Sequence, residues 1–579
     1  MLELRWIINC IYLNDLNLIK KKEKKSMKKI TRKFYLLLIA LLCLTLASCG
    51  DDFFEEGTDT EPLDPNKTTI YIGNYYGGLG DKWLDVLTTQ YEATHPDVQF
   101  KIENDKTPYL LDNIKNNMSS SKCSLFFVEK IYYYDMVNQG SLADISDVVT
   151  SSLSEFGEEG TIEDKLDEQY KEYLANNEIC DGKYYALPTY TAHYHMVYDV
   201  DLFEQKKLFM GKNSTDTNIA WIDGKTPDTK SAGVDGVFGT YDDGLPATMV
   251  QFEKLVEKMR QKNITPFIWS GQYSDYSSGI LTSIYADYEG ADSFSLNYTF
   301  NGSTKLNGSN TPTTITEANA YELQAQTGKL KALEFARYIT SDSINYASSS
   351  GLLTSTHLEV QDEYIASRPE NNGSTIKPIG IIFEGDWWEN EAQINGDFNS
   401  MVNMYGEEYA YGTRRFSVMP FPKLEGSAPE KTILSTSAQN AFFINNHASE
   451  EEKAICKDFL KFCHTESALQ IFTQYTGMVR PFDYEITEEQ YNDLTYYSKT
   501  LYEIYKSDNT KIVYDLNRCD TRIQNPSYFV FYWKWTSSQS GGVYEYPFHD
   551  FIDNKNMTAD SYFKGLKEYH KSQWSRFTQ

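Results

Sequence analysis

The sequence predicts an α/β fold built as more than one domain, and three observations carry that expectation. Strand and helix signals alternate through the first structured stretch, 69–128. The chain has 579 residues, too many for one ordinary domain of roughly 150. Apolar residues make up 41% and aromatics 15%, enough for large cores and against disorder as a description of the whole.

Each element follows from local pattern. Thr69-Ile-Tyr-Ile is a short β run, and Trp83, Leu84, Leu87 and Tyr91 recur at helical spacing within 80–94, where Pro96 ends the helix. Residues 98–102 alternate as a strand, 109–118 read as a helix, and Ser124-Leu-Phe-Phe-Val reads as a buried strand. This β-α-β-α-β order implies a parallel sheet with helices on its faces. Ligands of such sheets sit beyond the carboxyl ends of strands, which singles out Asn74, Tyr75, Tyr76, Glu129 and Tyr132. A helix is expected at 163–177, then a turn, a strand interrupted at Pro188 and a second strand ending at Asp199. A second α/β region covers roughly 201–430, with helices near 248–263 and 327–340, a surface insertion rich in Asn, Ser, Thr and Gly at 291–316, and a strand at 379–388. The aromatic run Tyr528–Trp535 is expected to pack inside a domain, with Trp533 or Trp535 facing a cleft as the alternative.

The N-terminal region reads as an address. Residues 27–48 hold a basic start (Lys28, Lys29, Arg32, Lys33), an apolar run at 34–46 and then Leu46-Ala47-Ser48-Cys49, the parts of a secretory leader in order. The apolar run is too short to span a bilayer. Residues 1–26 read as a misassigned upstream extension, because the basic start begins at Met27. Residues 49–67 are acidic, with few bulky apolar groups, and read as a flexible tether. Leu46-Ala-Ser-Cys49 resembles the lipobox of bacterial lipoproteins, which implies lipidation at Cys49.

Charge narrows the partners. Ten of the 54 basic and three of the 82 acidic side chains precede Cys49, leaving 44 against 79 and a net charge of −35 from Cys49 onward. Such a surface repels phosphate backbones, so no nucleic-acid partner is expected, and neutral or cationic small molecules are favoured over anions. Five cysteines remain after Cys49, an odd number with no CxxC, so neither a disulfide framework nor zinc is expected of them.

Several motifs then occur in a recognisable order: GKYYALP at 182–188, MVYDVDLF at 196–203, MVQFEKLVEKMRQKNITPF at 249–267, IGIIFEGDWW at 379–388, FSVMPFPKLEG at 416–426, and the segment 441–481 ending in Arg480-Pro481. The ordered set resembles the bacterial extracellular solute-binding proteins of family 1, the maltose-binding-protein type, over about 68–579. The resemblance implies a two-lobed clamp of periplasmic-binding-protein type, each lobe a β-sheet flanked by helices and discontinuous in sequence: 68–186 plus 436–482, and 187–435 plus 483–579. It also implies capture of a sugar or oligosaccharide, delivery to the membrane subunits of an ABC importer, a monomer held by lipid on the extracellular face of the cell membrane, and no catalytic step.

Sugar binding needs flat rings for C–H faces and short polar groups for hydroxyls. Candidates at strand ends are Tyr75, Tyr76, Glu129, Tyr132, Tyr190, His193, Trp269, Gln272, Glu384, Asp386, Trp387, Trp388 and Arg480. Trp387 and Trp388, adjacent in an expected strand, point to opposite faces, so one of them is expected to face a ligand. Glu384 and Asp386 share a face there, as a glycosidase carboxylate pair would, and a glycan-processing enzyme is the alternative from another class. The same clamp binding a peptide or another organic solute is a third reading. His193 and His195 share a strand face, but no third metal ligand lies nearby in sequence, so hydrogen bonding is expected of them. Asp235, Asp242 and Asp243, between glycines, form a candidate structural calcium loop and the only cofactor expectation. If calcium is held there, EGTA lowers the melting temperature; an unchanged melting curve removes the idea.

Overall fold

The computed structural model describes residues 62–368, 377–519, 533–538 and 540–576. The leader, Cys49 and most of the tether lie outside the described residues, as do Tyr528 to Tyr532 of the aromatic run. Residues Asn66–Gln579 form one compact unit organised around two four-stranded sheets.

The first sheet runs Ala441–Ile444, Leu125–Val128, Thr68–Tyr75, Val98–Asp105 in spatial order. The last three are parallel, with Ile72 opposite Leu125 and Ile102, while Ala441–Ile444 returns antiparallel beside Leu125–Val128. Leu125–Val128 is buried along its whole length, as its unbroken apolar run requires of a strand covered on both faces. The helix Lys82–Thr94 lays Trp83, Leu84, Leu87 and Tyr91 against this sheet, and Trp83 meets Phe127 and Phe472 at 4.7 and 5.1 Å.

The second sheet runs Phe416–Met419, Tyr194–Asp199, Ile379–Gly385, Thr265–Ile268, and only its last pair is parallel. Successive residues feed two cores: Ile381 and Phe383 pack on one side and Ile382 on the other. A separate two-stranded parallel pair joins Lys431–Ser435 to Thr510–Tyr514. Among the described residues no helix is long and apolar enough to cross a membrane.

Three chain segments run together between the sheets. Leu187 bridges to Phe442, Thr191 bridges to Val479, and Thr436 N–H donates to Ala192 O at 2.9 Å. Asn440 fastens the first two: its Oδ1 accepts from Thr189 N–H and Tyr190 N–H at 2.5 and 3.2 Å, and its Nδ2 donates to Tyr190 O at 2.8 Å.

Three elements differ from the sequence expectation. The helix expected at 163–177 is two short ones, Ile162–Lys165 and Glu168–Leu174, because the Asp167 carboxylate accepts from Gln169 N–H and starts the second afresh. The expected insertion begins later than 291, since Ser274–Thr299 is helical, broken only at Gly290 (φ 79°), and buries Phe294, Leu296 and Tyr298; a hairpin, Gly302–Lys305 with Pro312–Ile315, follows. The strand expected at 379–388 stops at Gly385, and a helix begins at Trp388. Glu384 and Asp386 are therefore not alternate strand residues, nor are Trp387 and Trp388 neighbours within one.

Candidate functional site

A cluster of rings and carboxylates forms where Thr68–Tyr75, Leu125–Val128 and Ile379–Gly385 end and the antiparallel Tyr194–Asp199 begins. From the first sheet come Tyr75, which ends Thr68–Tyr75, and Glu129, which follows Leu125–Val128. Burial and then the adjacent Glu129 carboxylate push the Tyr75 phenol up. Tyr190, on the segment between the sheets, is pushed up by burial and again by Glu129.

From the second sheet comes Tyr194, whose ring meets Tyr276 at 5.6 Å and Trp387 at 5.4 Å, both edge-on. Gly279 makes room for it: a Cβ there would lie 2.0 Å from the Tyr194 ring. Burial, Asp275, Glu129 and Glu384 all raise the Tyr194 phenol, so Glu129 acts on residues of both sheets. Behind these rings Gln361 Nε2 donates to Glu384 Oε1 at 3.0 Å and to Glu391 Oε2 at 3.1 Å. Burial, and then the charge of Glu391, push the Glu384 carboxyl well up. His357 stands 3.6 Å from Glu391 and stacks on Tyr276 at 6.1 Å. Across from this wall the loop after the first strand touches the turn and helix that follow Ile379–Gly385: Asn390 Nδ2 donates to Gly78 O at 2.8 Å, and a Cβ on Gly78 would meet the Trp387 Cβ at 2.9 Å. The cluster offers flat apolar faces and carboxylate acceptors, a set suited to a polyhydroxylated guest.

The structure brings Tyr75, Glu129, Tyr190, Glu384 and Trp387 together here. It places the other candidates elsewhere. Trp269 is fully buried, stacked on Phe383 at 5.5 Å and packed on Phe548. Trp388 is fully buried against Phe416 and Tyr497. Arg480 is 2% exposed, donating to Thr189 O and Cys463 O at 2.8 Å each, to Pro188 O at 3.4 Å and to His464 at 2.9 Å. Gln272 is exposed on the loop before Ser274, Tyr76 is half-buried at the turn after the first strand, and Tyr132 is half-buried beneath Lys115. Trp533 is buried in the second sheet's core, and Trp535 is half-buried and stacks on Tyr544.

His193 and Asp386 belong to a second, separate group. His193 and His195 turn away from Tyr194, as strand alternation requires, and meet Asp386 at 2.9 and 3.1 Å. Burial raises the Asp386 carboxyl, but the two imidazoles outweigh it and hold it well below the usual range. The third ligand missing from the local sequence is thus supplied from 193 residues away, and the three ligating atoms lie within 4.8 Å of one another. In the Asp235 loop each carboxylate already accepts from its own loop: Asp242 from Val234 N–H and Asp235 N–H, Asp243 from Gly239 N–H, and Asp235 from Val237 N–H.

Sequence reasoning missed Tyr194, Tyr276, His357, Gln361 and Glu391. Tyr194 had a signal, since it lies between two named histidines on the opposite face. The others are helix residues, where nothing local separates a cleft position from a packed one.

Residues 76–342 match the model of the bacterial extracellular solute-binding protein family. Among curated proteins no sequence matches this one. Solved structures of the same fold include the solute-binding protein RafE in complex with raffinose, at 14% identity and TM-score 0.51 over 88% of this chain and 100% of that one. A chitin oligosaccharide binding protein matches at 14% and 0.51 with the same coverage. Ligand-free RafE from Streptococcus pneumoniae matches at 13% and 0.50 over 89% of this chain and 100% of that one. These structures share a two-lobed architecture with this chain. By its matched segment the chain is similar to the bacterial extracellular solute-binding proteins, and it shares their fold.

Proposed function

We propose that the protein captures a neutral sugar or oligosaccharide between its lobes and hands it, chemically unaltered, to the membrane subunits of an ABC importer, while lipid on Cys49 holds it at the outer face of the membrane. The observation that carries this reading is that rings and carboxylates from both sheets, Tyr75, Glu129 and Tyr190 with Tyr194, Tyr276 and Trp387, converge on one place. A guest touching both sets is bound best when the lobes are closed, which is how a ligand shifts a hinge equilibrium. The lobes divide on this reading at the three adjacent segments near 187–192, 436–440 and 478–482. RafE with raffinose and the chitin oligosaccharide binding protein support carbohydrate as the guest class. The acidic surface and the acidic site favour an uncharged guest over an acidic sugar.

Glu384 supports binding without chemistry, because its carboxyl is fully buried and held by Gln361 rather than presented to a leaving oxygen. Incubation of the protein with a bound oligosaccharide is therefore expected to return it intact, by mass spectrometry, from wild type and Glu384→Gln alike. Release of a shorter product by wild type and not by the variant would establish the enzyme reading instead.

A further inference from the structure

We propose that His193, His195 and Asp386 bind one divalent transition-metal ion of the zinc type, inside the wall that joins the segment between the sheets to the second sheet. The backbone builds the arrangement. Tyr194–Asp199 pairs antiparallel with Ile379–Gly385, with His195 opposite Glu384 and Tyr194 opposite Gly385, so the next residue on each side brings His193 opposite Asp386. Strand alternation then places both imidazoles on the Asp386 side, their ring centroids 4.6 Å apart. All three residues are at most 2% exposed.

The polar accounting leaves one place for a cation. Asp386 Oδ2 accepts from the Tyr505 hydroxyl at 2.6 Å and from His193 N–H at 3.2 Å. Among the described residues Asp386 Oδ1 has no aligned hydrogen-bond donor, although His193 Nδ1 and His195 Nδ1 stand 2.9 and 3.1 Å from it. A buried carboxylate oxygen left without a donor is costly, and the two nitrogens beside it hold long contacts to other acceptors, His193 Nδ1 to Asp386 Oδ2 and His195 Nδ1 to the His193 carbonyl, each at 3.2 Å, which a metal ion would replace. For zinc held at about 2.0–2.1 Å, tetrahedral ligand atoms stand about 3.4 Å apart, so these separations need open by only a few tenths of an ångström. The outer shell is also present. His195 Nε2 faces the Tyr497 hydroxyl at 2.8 Å, and that hydroxyl donates to Gly385 O at 3.2 Å, so its oxygen is free to accept an Nε2–H and leave Nδ1 for the metal. The Tyr505 hydroxyl, 2.9 Å from His193 Nδ1, stands where a fourth oxygen ligand or a water is needed. Two imidazoles with one carboxylate select zinc or its transition-metal neighbours over calcium or magnesium.

The test uses the full-length chain, unfolded and refolded with excess zinc because the site is closed to solvent, then desalted and analysed for metal. About one equivalent is expected, falling below about a tenth in His195→Gln and Asp386→Asn. Wild type refolded with cobalt(II) is expected to show the visible absorption of a low-coordinate site, a reading that does not depend on the variants folding. Less than about a tenth of an equivalent in folded wild type, a cobalt spectrum no different from the aqueous ion, or equal zinc in a folded Asp386→Asn variant would each overturn the proposal.

Discussion

Replacing Arg480 with methionine is expected to destabilise the protein by about 3 kcal/mol and to leave carbohydrate affinity within about twofold in the folded fraction. The guanidinium is fully enclosed and meets no carboxylate among the described residues; burial pulls its pKa down to about 10. What holds it is a fork of donors to Thr189 O, Pro188 O and Cys463 O, with a fourth contact to His464. Methionine fills much of the stem's volume but leaves those carbonyls without donors, and each orphaned buried group costs on the order of 1–3 kcal/mol. Removing a buried cation returns part of that cost, which is why the net figure stays near the upper single-group value. Lysine does not rescue, because a single ammonium cannot reproduce the planar fork. The measurement is the urea midpoint at unchanged slope. A stable variant that has lost its sugar would instead place Arg480 at the ligand, as the sequence alone expects.

The opposite pattern is expected at Trp387. Trp387→Ala should weaken carbohydrate binding about thirtyfold, read by titration calorimetry, with little change in the urea midpoint. The ring is half-buried between Tyr194 and Tyr276 and rests on Gly78 from across the cluster. A sugar face covering roughly 80 Å² of it is worth about 2 kcal/mol at 25 cal/mol per Å², or about thirtyfold in the dissociation constant. Trp387→Phe, which keeps a smaller flat face, should recover part of that loss. Unchanged affinity in the alanine variant would put the guest somewhere other than this cluster. The two substitutions thus separate a residue that holds the segments together from one that meets the guest.

Arg480 and Trp387 also show what the sequence can and cannot reveal. The strand and helix order of the first sheet is local information: Trp83, Leu84, Leu87 and Tyr91 announce a helix, and Leu125–Val128 announces a buried strand. Positions beyond strand ends follow from it, which is why Tyr75 and Glu129 could be named. Arg480 was legible as unusual but not as buried, because its partners are backbone carbonyls that carry no side-chain signature. Trp387 was singled out on the premise of a strand through 388, yet the strand ends at Gly385 and the tight turn, not strand alternation, sends Trp387 toward Tyr194 and Trp388 into the core. His193 and His195 showed their shared face from spacing alone. Asp386 completes the group only through antiparallel pairing across almost 200 residues, and no local pattern encodes that register.

The most direct test of the central claim is a thermal-shift screen of the full-length chain against neutral mono- and oligosaccharides, with acidic sugars and short peptides alongside. At 100 times its dissociation constant the right guest stabilises by roughly 2.7 kcal/mol, and the account predicts that at least one neutral carbohydrate raises the melting temperature in wild type and, at the same concentration, by only about a third as much in Trp387→Ala, whose thirtyfold weaker site leaves roughly 0.9 kcal/mol. A shift given only by peptides or acidic sugars, with every neutral carbohydrate silent, would contradict it.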